Sequence, residues 1–117
     1  MMPEYVYLDC EIKTDEETTK FSLKLDEQQN TVTHTYESGE SFVSEGAFSA
    51  NTVSYKKTHF SAGLEIVLEY EINREDLSIK HTFRAEPINK EYLAQIEPTV
   101  LISYGACKIA TPKKNAF

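Results

Sequence analysis

The sequence predicts a mostly β protein: an antiparallel meander of about seven to eight strands, closed into a small barrel or folded as a sandwich, with at most one short helix near residues 89–96. Three observations carry that prediction. Apolar residues recur with a period of two along most of the chain, turn-forming clusters interrupt them at short intervals, and twenty of the 117 residues are Ser or Thr. A chain of this length builds one core, so residues 1–110 are read as a single β domain and 111–117 as a polar tail.

The first strand is plain. Val6, Leu8, Cys10 and Ile12 alternate with Tyr5, Tyr7, Asp9 and Glu11, which gives one core face and one outer face. After the polar stretch Thr14–Thr19, Phe21, Leu23 and Leu25 alternate with Ser22 and Lys24 until Asp26–Asn30 breaks the run. Val32, His34 and Tyr36 continue among threonines, and Glu37-Ser38-Gly39-Glu40 turns the chain before a strand from Phe42 to Phe48. Asn51 to Thr58 reads as a fifth strand, with Val53 and Tyr55 on one side and a turn at Ser61-Ala62-Gly63.

Leu64, Ile66, Leu68, Tyr70 and Ile72 then face one way, while Glu65, Val67, Glu69 and Glu71 face the other. The turn Asn73–Asp76 leads into a returning strand of Leu77, Ile79, His81 and Phe83. A one-residue slip in this hairpin would bury glutamates, so its register is well specified. From Pro87 to Pro98 the period of two is lost; Asn89 can cap a short helix with Tyr92, Leu93 and Ile96 on one side. In the last strand, Thr99 to Ile109, the run Val100-Leu101-Ile102 is apolar on both faces and reads as covered on both sides or lying at the closure of the sheet. The first and last strands are the natural pair to close a barrel, which removes exposed edges.

Composition narrows the function. The net charge of −7 is uneven, with eleven acids and three bases before residue 51 against eight acids and nine bases after it. Nucleic-acid binding needs a basic face to displace counterions, so it is not expected. No run approaches the roughly 20 apolar residues that span a bilayer, and Met1-Met2-Pro3-Glu4 lacks the features of a signal peptide. No membrane is expected, and the reading is cytoplasmic. Cys10 and Cys107 are then expected as two reduced, half-buried thiols, although end strands lying side by side could pair them.

Catalytic signatures are lacking. His34, His59 and His81 are far apart and sit beside no second ligand type at metal spacing; His34 and His81 read as half-buried, hydrogen-bonded residues at a barrel end. Glu65, Glu69 and Glu71 read as a solvated strand face, and Asp15-Glu16-Glu17 lacks the spacing of a calcium loop. There is no nucleophile elbow and no phosphate loop, so neither enzyme activity nor a cofactor is expected.

Seven tyrosines and six phenylalanines exceed what a small core needs. Tyr5 and Tyr7 point outward beside Asp9 and Glu11, and with Asp15, Glu16 and Glu17 they form the candidate surface for a protein partner, most easily a basic one. The alternative is a small-ligand-binding barrel of the lipocalin kind, with Phe21, Tyr36, Tyr55 and Phe83 lining a cavity, and the second alternative is an enzyme of unknown class.

The stretch Tyr70–Ile79, with Gly105-Ala106-Cys107-Lys108 and an end closing on Phe117, resembles a loose class of small uncharacterised β-proteins of tailed phages and marine bacteria. It departs from them at Glu75-Asp76, where a Thr-Gly turn is usual. The resemblance implies an accessory protein, such as a phage-encoded inhibitor of a host protein or a small virion component. The Tyr-x-x-Cys start at Tyr7–Cys10 and the late Cys107 also resemble periplasmic lysozyme-inhibitor barrels, without their Ser-Gly loop.

Overall fold

A computed structural model describes residues 5–89, 91 and 97–110. Eight antiparallel strands follow one another around a closed barrel: β1 Tyr5–Lys13, β2 Thr18–Asp26, β3 Thr31–Tyr36, β4 Ser41–Phe48, β5 Thr52–Ser61, β6 Leu64–Asn73, β7 Ser78–Pro87 and β8 Thr99–Ile109. The mostly β meander is thus a barrel rather than a sandwich. The short helix expected near 89–96 and the tail at 111–117 lie outside the described residues, apart from Asn89 and Glu91. Among the described residues, no helix is long and apolar enough to cross a membrane.

The inward halves of the alternating strands form the core. Leu8, Cys10 and Ile12 of β1 meet Phe21, Leu23 and Leu25 of β2, with Val32, Val53, Ile72 and Ile79 completing the ring. Such side chains each contribute about 1.5–3 kcal/mol on burial, enough to fix which face of each strand turns inward. β1 and β8 close the wall from Leu8↔Ile109 to Lys13↔Tyr104. The approach is tight at Gly105: a Cβ there would collide with the carbonyl oxygen of Glu11 and come within 2.8 Å of Ile12 Cα. Only glycine fits that crossing.

Cys10 and Cys107 are direct partners in this register, with Cα atoms 4.0 Å apart, and form a disulfide. The Cys107 N–H donates to the Leu77 carbonyl, so its backbone groups face β7. Relative to β1 it therefore occupies a non-hydrogen-bonded position, where side chains approach most closely. The expectation of two reduced thiols is corrected: closure of the barrel brings residues 97 apart in sequence into bonding distance.

Three further expectations need correction. β7 begins at Ser78, not Leu77, because the Asn73 side-chain oxygen accepts the N–H groups of Glu75 and Asp76 and leaves Leu77 in the left-handed region, φ +60°. β5 runs on to Ser61 and turns through only Ala62 and Gly63, both with positive φ, the two-residue hairpin that matches strand twist. His34 is not at a barrel end: it is 1% exposed, in the middle of the interior.

The barrel closes over only part of its length. β4 meets β5 at Gly46↔Tyr55, Ala47↔Ser54 and Phe48↔Val53, after which β5 continues to Ser61 paired with β6 but not with β4. On the other side β1 ends at Lys13, while β8 reaches back to Thr99. β5, β6, β7 and β8 stay paired throughout. They therefore project past the mouth as a four-stranded extension about 20 Å long, six residues at ~3.3 Å each.

Candidate protein-binding surface

The barrel interior is filled by stacked rings. His34 lies between Phe21 and Phe42, with centroids at 4.4 and 4.8 Å, and Tyr55, Tyr70 and His81 stack in series at 4.8 and 4.4 Å. Tyr36 leans on His34 at 4.7 Å. The Nδ1 atom of His34 shares a 2.8 Å hydrogen bond with the Tyr55 hydroxyl. Burial, with His81 and Lys57 adding to it, pushes the His34 pKa down to about 4, so the ring is neutral at pH 7. Burial likewise pushes the Tyr55 and Tyr70 hydroxyls well above the usual phenol range. Lys57 closes the stack at the mouth, its ammonium 4.8 Å from the centroid of Phe42 and 5.7 Å from that of Tyr36. Phe21, Tyr36 and Tyr55 thus each pack on the His34 ring, at 4.4, 4.7 and 5.9 Å between centroids, and Phe83 sits beyond them on the extension.

The opposite end holds an apolar cleft of about 750 Å³ bordered by Val6, Leu25, Phe48, Leu77 and Ile109. Among the described residues its one cation is Arg74, which donates to the Glu27 carboxylate at 3.0 and 3.3 Å and to the Ser49 carbonyl at 2.7 Å. Among the described residues, no group of three His, Cys, Asp or Glu side chains is placed to hold a metal ion.

Of the residues singled out from sequence, Tyr5, Tyr7, Asp9 and Glu11 share the outer face of β1. Tyr5 and Asp9 are exposed, Tyr7 and Glu11 half-buried. That face is not an acidic field. Lys24 lies over the Tyr5 ring at 4.2 Å, Asp9 is opposite Lys108, and Glu11 is opposite Lys20 and 3.4 Å from Lys13. The Asp9 carboxylate also accepts the Ser22 hydroxyl at 3.0 Å. Asp15, Glu16 and Glu17 are exposed in the β1–β2 loop at the mouth, a strand's length (about 26 Å) from Tyr5, so the seven residues do not converge.

What the loop joins instead is a second acidic turn. Glu17, Glu37 and Glu40 border one cleft of about 540 Å³ with Tyr36, Lys20 and Lys57, so three carboxylates outnumber two ammonium groups and form an acidic lip on the β1–β4 side of the mouth. Across from it the extension turns its inner face toward the same opening. The register places Leu64, Ile66, Leu68, Phe83, Ala85 and Leu101 on that face, an apolar shelf bordered on the β5 side by Lys57 and His59. Its first five members are half-buried, and Leu101 is 58% exposed.

Sequence reasoning missed the shelf. Val100-Leu101-Ile102 was expected to be covered on both sides; it is 50%, 58% and 50% exposed, because the run lies beyond the last β1–β8 pair rather than at the closure. The signal was present in the unequal strand lengths: β5 through β8 span ten or eleven residues each, against six in β3 and eight in β4. Comparison with protein-family models, curated proteins and solved structures finds no match.

Proposed function

We propose that this chain is a protein-binding accessory module in which the filled barrel is a scaffold and the mouth is the working surface. The observation that carries the reading is the pairing of an exposed apolar shelf with an acidic lip across one opening, above an interior already occupied by aromatic rings. Such a mouth fits a protein segment with one apolar and one basic side: the shelf supplies buried area, and the lip steers the approach and excludes acidic competitors. A phage-type inhibitor of a host protein, or a virion component, is the biological setting that fits, in line with the resemblance of the Tyr70–Ile79 hairpin. Neither catalysis nor a cofactor is part of this reading. The Cys10–Cys107 bond favours an oxidising compartment over the cytoplasm as the working environment, since cytoplasmic thiols are kept reduced.

The competing version places the partner on the outer face of β1, at Tyr5, Tyr7, Asp9 and Glu11. Capture of partners from host lysate, with mass-spectrometric identification, separates the two. Ile66→Glu and the pair Glu37→Lys, Glu40→Lys should abolish capture of the main partner, and Asp9→Lys with Glu11→Lys should leave it intact. The reverse pattern moves the site to β1. A lipid or other small molecule retained by the purified protein in native mass spectrometry would favour the lipocalin-like alternative.

A further inference from the structure

The extension leaves two strand edges without a neighbour among the described residues, and they differ in chemistry. On β5 the open stretch is Lys56–Ser61, which carries Lys56, Lys57 and His59. Lysine on an edge is a usual guard against strand pairing. On β8 the open stretch is Thr99–Ser103, with Val100, Leu101 and Ile102 and no charged residue.

Hydrogen-bond parity fixes what that edge offers. The Cys107 N–H reaches Leu77 at the start of β7, and the Ala110 N–H reaches Tyr7 of β1. Odd residues of β8 therefore face β7 and even residues face the β1 side. Tyr104 is opposite Lys13, the end of β1, so its groups are taken. Pro98 has no N–H to offer. Between them, Val100 and Ile102 present two N–H and two C=O groups to a side with no strand partner among the described residues.

We infer that this edge pairs with the same edge of a second copy, antiparallel, about a two-fold axis through Leu101. The sequence is self-complementary at that register. Val100 meets Ile102 of the other copy twice, giving four backbone hydrogen bonds and two β-branched pairs. Leu101 meets its own counterpart, and Thr99 meets Ser103. The next pair outward would be Pro98 with Tyr104, where one residue has no donor and the other is already bonded, so the ladder ends there and the Pro98 carbonyl is left to solvent. No like charges oppose one another within it, whereas the β5 edge paired with itself would bring lysines together. The result is one continuous eight-stranded sheet linking two barrels, with two mouths for partners. The inference rests on the extension being the interacting part of the molecule, but it is tested on purified protein with no partner present.

Sedimentation equilibrium across a wide concentration range should show reversible association toward twice the 13.4 kDa of one chain. Ile102→Pro removes only an N–H that faces away from β7, and Val100→Lys places a charge on the edge; each should abolish the dimer while circular dichroism and melting temperature stay close to the parent. The register has its own test. Leu101→Cys puts two thiols opposite each other at a non-hydrogen-bonded pair and should cross-link into a covalent dimer under mild oxidation, whereas Phe60→Cys should not. A parent protein that stays monomeric to its solubility limit overturns the inference, and so does a dimer that survives both edge variants. Loss of capture by Ile66→Glu with dimerisation intact would leave both readings standing; capture unaffected by that variant would remove the functional reading alone.

Discussion

Removing the Cys10–Cys107 bond should lower the stability of this protein by several kcal/mol, and the amount follows from the topology. The bond joins the first and last strands across a sequence separation of 97. In the chain-entropy account, cross-linking a loop of about 100 residues is worth about 4.7 kcal/mol, by restricting the unfolded chain. For 117 residues at ~2.1 cal/mol/K of unfolding entropy each, that is a melting temperature lower by roughly 20 °C. The perturbation is Cys10→Ala with Cys107→Ala, checked against the parent under reductant; alanine leaves no buried hydroxyl unpaired where both cysteines are now buried. The assay is thermal unfolding by circular dichroism, with mass spectrometry to confirm the redox state. Denatured, unreduced parent should yield no free thiol. Free thiols in that sample, or melting temperatures within a few degrees of one another, would refute the reasoning and show that the wall is closed by its hydrogen bonds alone.

Other expectations come from the interior and the closure. His34 has a pKa lowered from 6.5 to about 4 in the folded state, so the unfolded chain binds more protons between those values. Stability is then full above about pH 6.5 and falls as pH drops toward 4, by on the order of 3 kcal/mol, with His81, also lowered by burial, adding in the same direction. Urea denaturation at a series of pH values checks this, and His34→Phe should flatten the slope while lowering stability at neutral pH by about 1–2 kcal/mol through loss of the Tyr55 hydrogen bond. Gly105→Ala forces β1 and β8 apart and should cost at least about 3 kcal/mol by chemical denaturation, whereas Gly63→Ala, strained only by its φ of +78°, should cost about 1 kcal/mol. Equal costs at the two glycines would mean the closure is looser than its register implies.

The wall of the barrel was legible because each strand obeys the period of two where it is half-buried. Leu8, Cys10 and Ile12 of β1, and Tyr70 and Ile72 of β6, are buried, with acids between them outside. Pairing of the first and last strands was legible by elimination of open edges, and it put the two cysteines side by side; an argument about compartment then overrode the geometry and left them reduced. Leu77 was misplaced by one residue because alternation cannot see an Asn73 side chain capping the turn. The mouth was the least legible part. Alternation continues unchanged through Leu64, Ile66 and Leu68, although the barrel has already opened there, since the pattern records which face a residue occupies and not what stands opposite. The acidic lip joins Glu17 to Glu37 and Glu40, twenty or more residues apart, and local reading assigned the first to the β1 surface and the others to a turn.

The central claim is that a partner enters the mouth between shelf and lip. Hydroxyl-radical footprinting of the parent protein, with and without the captured partner, tests it most directly because it reports side-chain exposure residue by residue. The account expects protection at Ile66, Leu68, Phe83 and Leu101, with Tyr5 and Tyr7 unchanged. Protection at Tyr5 and Tyr7, with the shelf still as reactive as in the free protein, would contradict it.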